Sequence, residues 1–114
     1  MKTAGQIALI KLPQTGMTAG KPRPVLMLAA LPGRHDDWLV CMISTQMHQV
    51  LSGFDEAVTA DAEDFRQSGL KTENAIRVAR LAVVSGDLLE GAIGRISAER
   101  LQRIKSRLAE WIAG

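Results

Sequence analysis

Residue types that build many active sites are scarce in this chain. It holds one cysteine, Cys41, so no disulfide can form within it. Cys41 lies in an apolar run, where a small buried thiol is expected. This usage fits a reducing compartment, and the chain is expected in the cytoplasm. There are two histidines, His35 and His48, far apart and without an acidic or thiol partner at ligand spacing. No metal site is expected from them. No glycine-rich phosphate loop opens a helix, so no nucleotide cofactor is expected. No Gly-x-Ser-x-Gly elbow surrounds Ser44, which argues against a Ser-His-Asp hydrolase. No apolar stretch reaches the length needed to span a bilayer. Gln6, Lys11 and Pro13 interrupt the N-terminal segment too early for a signal peptide.

What is present suits one globular domain over residues 1–114. Hydrophobic residues make up 46% of the chain and charged residues 23%, which excludes a disordered composition. The net charge is +2, a mild lean toward anionic partners. The layout is more telling than the sum. Asp55 to Asp64 carries five acids and no base, whereas Lys21, Arg23 and Arg34 precede it and the last forty residues are again basic. That asymmetry suggests a face for something anionic.

Short apolar runs dominate the first two thirds. Gln6–Leu12, Val25–Ala30 and Trp38–Ser44 read as strands, the third apolar almost throughout and therefore central. Two further strand signals stand at Asp55–Thr59 and Ala75–Val78, and Leu81–Val84 reads as another strand or a buried turn. Pro13 to Pro24 holds three of the four prolines with Gly16 and Gly20, and reads as a long loop. Pro32 to Asp37 reads as a turn. Ala62–Gln67 is expected to make one or two helical turns closed by Gly69. Leu101, Ile104, Leu108, Trp111 and Ile112 follow helical spacing, with Ser97 as N-cap and Ile96 against Leu101 as a hydrophobic staple. Arg100, Arg103, Lys105 and Arg107 are expected on the remaining faces. The result is a mainly β chain with helices (α+β), a barrel or tightly curled sheet of five to seven short strands with a C-terminal amphipathic helix.

Two features carry possible chemistry. Arg23 stands between Pro22 and Pro24, which restrict the backbone on both sides of it, and a guanidinium can grip phosphate through paired hydrogen bonds. A solvated basic loop explains the same spacing. Ser44-Thr45-Gln46 puts three polar side chains directly after an apolar strand. A strand end satisfying its own backbone explains that pattern too.

Taken in order, these segments resemble the MazF/PemK family of toxins from type II toxin–antitoxin systems. The resemblance covers nearly the whole chain. It is carried by Gly5-Gln6-Ile7 entering a strand, Lys-Pro-Arg-Pro-Val-Leu-Met-Leu at 21–28, and Val40-Cys41-Met42-Ile43-Ser44-Thr45-Gln46. Ser68-Gly69-Leu70-Lys71 through Ile76-Arg77-Val78, and Gly94-Arg95-Ile96-Ser97 with the last helix, complete it. The resemblance implies an SH3-like barrel and a homodimer. It implies a metal-independent endoribonuclease that needs no cofactor and cuts single-stranded RNA. In that chemistry the 2′-hydroxyl attacks the adjacent phosphate and leaves a cyclic phosphate. It implies neutralisation by a cognate antitoxin protein. Arg23 falls on the family's catalytic arginine, and Ser44 on its catalytic threonine. Lys21, Thr45, Gln46 and Arg77 would contact RNA. Where the PemK-like branch has an acid two residues after its arginine, Ala79 follows Arg77, which favours the MazF-style arginine–hydroxyl pair. Gln6 stands where an acid is frequent. The alternative is a non-catalytic, CcdB-like barrel that binds a protein target such as gyrase.

Overall fold

The computed structural model describes residues 2–11 and 21–114. Six strands form one antiparallel sheet: β1 (Gln6–Ile10), β2 (Arg23–Ala30), β3 (Asp37–Ser44), β4 (Glu56–Val58), β5 (Asn74–Ser85) and β6 (Leu89–Arg95). Among the described residues there are two α-helices, the short α1 (Phe65–Ser68) and the terminal α2 (Ala98–Ala113). The sheet order is β4-β5-β3-β2-β1-β6. Thus β3 is indeed interior, as its unbroken apolar run implies.

That run is apolar because both faces of the sheet are buried at its centre. Alternate residues Ile7, Leu26, Cys41, Ile43 and Ile76 meet Ile96, Ile104 and Leu108 on the helix side. The intervening Ala8, Ile10, Val25, Met27, Val40 and Val84 pack with Trp38 on the other. Fully burying one such aliphatic side chain contributes about 1.5–3 kcal/mol, so two opposed clusters supply most of the drive to fold. The sheet curls into a barrel-like form. α1, which follows edge strand β4, reaches edge strand β6, and a Cβ on Gly69 or Gly94 would run into the backbone of Ile93 or Gln67 respectively. Gly69 also closes α1 in the left-handed conformation, with φ 74°, as expected of a C-cap.

Some boundaries differ from those expected. Arg23 is the first residue of β2 and not a loop residue. Leu12 and most of the Pro13–Pro24 segment lie outside the described residues. Ala75–Val78 and Leu81–Val84 belong to a single strand, β5. Its register on β3 jumps from Met42↔Arg77 to Cys41↔Leu81, so Val78, Ala79 and Arg80 bulge. The expected strand at Asp55–Thr59 shortens to Glu56–Val58. β6 lacks a dense aliphatic run: it reads LEGAIGR, with Gly91 at φ 126° and two register shifts against β1.

In α2 the cap is as expected, since Ser97 Oγ accepts from the Arg100 amide at 3.1 Å. Trp111 packs edge-to-face on Phe54, with ring centroids 5.9 Å apart. Arg100, however, does not lie on an outer face. Its residue is 8% exposed, and its guanidinium forks onto Asp64 (Nε–Oδ2 2.8 Å, Nη2–Oδ1 2.9 Å) and reaches Glu56 Oε1 at 2.8 Å. Arg103 and Arg107 also donate to Glu56. Helical periodicity predicts which side of α2 faces inward. It cannot predict that two carboxylates wait there for an arginine.

Candidate active site

The register between β2 and β3 runs Val25↔Met42. Extending it two residues toward the start of β2 puts Arg23 across from Ser44. On its other side Arg23 is paired with Ile10 of β1. Its position is therefore fixed by two neighbouring strands as well as by Pro22 and Pro24. A groove of about 310 Å³ opens at this end of the sheet, lined by Arg23, Pro24, Met42, Ile43, Ser44, Thr45, Gln46 and Asn74. Four of the residues singled out in the sequence thus come together: Arg23, Ser44, Thr45 and Gln46. Lys21 is exposed two residues before Arg23 but does not line the groove.

Ser44 is half-buried, and its Oγ accepts from the Gln46 amide at 3.0 Å. This is the local strand-end bond that a hydroxyl in this position readily makes. It holds the oxygen in place and leaves the hydroxyl proton available to donate. Arg23 and Lys21 have no carboxylate in ion-pair range among the described residues, and residues 12–20 contain no acid. The groove therefore joins an unneutralised guanidinium to a fixed hydroxyl. Such a pair can bind a phosphate and stabilise negative charge that grows on it.

Sequence reasoning missed Asn74. It is 4% exposed, starts β5 opposite Val58, and its Nδ2 donates to Thr72 O at 2.8 Å. A lone asparagine at a strand start carries no motif, so only the assembled sheet reveals it at the groove.

Arg77 takes a different place. Cross-strand partners share a face of a sheet. Arg77 opposes Met42, and Ala75 opposes Ser44, so Arg77 stands on the same face as the hydroxyl. Yet its Nε donates to Asp55 Oδ2 at 3.0 Å and its Nη1 to Gln49 Oε1 at 2.7 Å, and it does not line the groove.

The charge asymmetry of the sequence is largely spent within the fold. Asp55 pairs with Arg77, Asp64 with Arg100, and Glu56 with Arg100, Arg103 and Arg107. Burial disfavours the Glu56 carboxylate, but Arg103 by hydrogen bond and charge, with Arg107 and Arg100, outweighs it and holds the carboxyl below its usual range. Asp64 is likewise opposed by burial and held low by Arg100 and the Ser97 amide. A larger, open depression of about 760 Å³ runs along α2 past Gln102, Arg103 and Arg107. Both its arginines are already bound to Glu56, so the smaller groove is the stronger candidate for chemistry.

His35 and His48 are both exposed. Among the described residues no three His, Cys, Asp or Glu side chains are grouped to hold a metal, and no helix is long and apolar enough to cross a membrane. Cys41 is buried, and desolvation first, then the charge of Asp55, pushes its thiol up to about 12. It is no nucleophile at neutral pH.

No individual curated protein matches the chain. A sequence model of the family described as PemK-like, MazF-like toxin of type II toxin–antitoxin system matches residues 3–112. That span takes in every described strand, α1, all of α2 but its last residue, and the described groove lining. The chain belongs to the PemK-like, MazF-like toxins of type II toxin–antitoxin systems.

Proposed function

We propose that this toxin is an endoribonuclease that cuts single-stranded RNA in the cytoplasm without a metal ion or cofactor, and that Arg23 and Ser44 are its catalytic residues. The observation that carries this reading is the placement of Arg23, which has no ion-pair partner among the described residues, across from a fixed hydroxyl at the mouth of one groove. In the reaction the RNA 2′-hydroxyl attacks the adjacent phosphorus, releasing its proton to water, and the bond to the 5′ oxygen breaks, leaving a cyclic phosphate and a 5′-hydroxyl. Arg23 stabilises the charge that builds on the phosphorane and, in this reading, protonates the leaving oxygen and regains its proton from water. Ser44 donates a hydrogen bond to a phosphate oxygen. Among the described residues the groove lining holds no carboxylate or imidazole, so electrostatic stabilisation is the main source of rate.

Lys21, Thr45 and Gln46 contact the RNA on either side of the cut. Arg77 adds positive charge to the same sheet face while spending two nitrogens on the protein itself. A gyrase-binding barrel would have no use for an Arg23–Ser44 pair, which sets that alternative second. RNA cleavage by the wild type and by Arg23→Ala decides between them. Wild-type protein that cleaves no RNA favours the protein-binding reading.

Membership of a type II toxin family implies a cognate antitoxin. We propose that it blocks the RNA groove with an acidic segment, because Lys21 and Arg23 lack acidic partners among the described residues. A bound antitoxin that leaves RNA cleavage untouched would contradict this. We also propose a homodimer, supported by the exposed Trp111 and Ile112 on α2, Val83 on β5, Leu88 in the turn between β5 and β6, and Ile93 on β6.

A further inference from the structure

The turn that carries Thr45 and Gln46 into the groove has little packing to hold it. Thr45 and Gln46 are exposed, and the one-turn 3₁₀ segment that follows, Met47–Gln49, buries none of its residues. Its backbone bonds are three local contacts, Met47 N to Thr45 O, Gln49 N to Gln46 O and Val50 N to Met47 O. A loosely packed turn of this kind opens easily unless something ties it to the sheet.

Two side-chain bonds do so: at the start of the turn Ser44 Oγ of β3 accepts from the Gln46 amide at 3.0 Å, and at its far end the tie comes from β5. Gln49 Oε1 accepts from Arg77 Nη1 at 2.7 Å. Arg77 is itself immobilised, because its Nε is bonded to Asp55 Oδ2 at 3.0 Å. The Asp55 side chain is only 1% exposed. It accepts in addition from the Leu51 amide at 3.1 Å and, through Oδ1, from the Val78 amide at 2.9 Å. Val78 is the first residue of the β5 bulge, and Arg77 is the last paired residue before it. Asp55 therefore ties the segment after the turn to β5 where β5 leaves its register. Arg77 relays that anchor to the turn itself.

We infer that Asp55, Arg77 and Gln49 form a clamp that fixes the 45–50 turn against β5 and so sets the shape of the RNA-contacting lip of the groove. Gln49 and Arg77 are positioning residues in this scheme, acting through Thr45 and Gln46. Arg23 and Ser44 stand on β2 and β3, outside the clamped turn, and Ser44 Oγ meets it at the Gln46 amide, at the end away from Gln49. Loosening the clamp thus weakens RNA capture more than it slows the chemical step. The effect on cleavage rests on the ribonuclease reading, whereas the ordering of the turn does not.

The test compares full-length wild type with Gln49→Ala, which removes the acceptor, and Gln49→Glu, which restores one. Amide hydrogen exchange over residues 46–51 and steady-state cleavage of a single-stranded RNA are measured on all three. In Gln49→Ala, exchange in the turn is expected to rise about two- to tenfold, the equilibrium worth of one hydrogen bond. KM should rise by a similar factor, with kcat within about twofold of wild type. Gln49→Glu should bring both back. Unchanged exchange in Gln49→Ala, or a Gln49→Glu protein as perturbed as Gln49→Ala, overturns the clamp. Equal losses in kcat with KM unmoved overturn its role in capture. If the wild type cuts no RNA, the ribonuclease reading fails and the exchange measurement alone judges the clamp.

Discussion

Replacing Arg100 with alanine should be among the most damaging changes available outside the hydrophobic core. Arg100 is the only described side chain bonded to both buried carboxylates, Asp64 and Glu56. Glu56 would keep Arg103 and Arg107. Asp64 would keep only the Ser97 amide at 3.0 Å, at 2% residue exposure. The loss is therefore that of a buried charge stripped of its partner, which costs about 3–5 kcal/mol. A small domain has roughly 5–15 kcal/mol of stability in total. At about 4–8 °C per kcal/mol, the melting temperature should fall by roughly 12–40 °C. Arg103→Ala is the control. Its side chain is 50% exposed, and a pair of that kind is worth about 1 kcal/mol or less. Urea and thermal denaturation followed by circular dichroism would measure both. A loss below about 1 kcal/mol for Arg100→Ala, or equal losses for the two variants, refutes the reasoning.

Ser44→Thr should cleave RNA at close to the wild-type rate, whereas Ser44→Ala should be slower by about 10²-fold, the loss of one donor to the developing charge; equal rates for all three would remove Ser44 from the mechanism. Stability should fall in acid. Glu56 and Asp64 have carboxyl groups held below their usual range, so their contribution is complete at neutral pH, begins to erode near the ordinary carboxylate range of about 3.9–4.3, and is lost as pH falls through the folded-state values. Melting temperatures that stay level or rise from about pH 5 to pH 3 would contradict this, and Glu56→Gln should flatten the acid limb. The homodimer should persist at roughly ten micromolar protein, as specific interfaces commonly do; sedimentation showing only monomer at that concentration would exclude it.

Legibility in the sequence followed the kind of signal involved. Trp38–Ser44 and Val25–Ala30 were readable because a strand buried on both faces writes a continuous apolar run. α2 was readable because its buried stripe repeats at helical spacing and Ser97 marks its start. β6 was not, since Gly91 and Gly94 serve bulges and the close approach of α1, and those needs leave no hydrophobic alternation. The fusion of Ala75–Val78 with Leu81–Val84 was hidden by a bulge whose exposed Ala79 and Arg80 look like a break. In the groove, Arg23 and Ser44-Thr45-Gln46 could be singled out because prolines and a polar strand end are local features. Asn74, and the pairing of Arg77 with Asp55 and Gln49, depend on contacts between residues 22 to 28 positions apart or on a groove three strands assemble. No local pattern encodes either. The same holds for the acidic block, whose charges look free in sequence: Asp55, Glu56 and Asp64 are paired with arginines in the fold, whereas Asp61 and Glu63 have no ion-pair partner among the described residues.

The most direct measurement is cleavage of single-stranded RNA, in the presence of EDTA, by the wild type and by Arg23→Ala. Arg23 is exposed at the start of β2 and contributes little to either core, so the variant should melt within about 0.5 kcal/mol of wild type. The wild type should cut despite the chelator, leaving a cyclic phosphate, and Arg23→Ala should cut about 10²–10³-fold more slowly. Cleavage that EDTA abolishes in folded protein, or an Arg23→Ala protein as fast as wild type, would contradict the assignment of this groove as a metal-independent ribonuclease site.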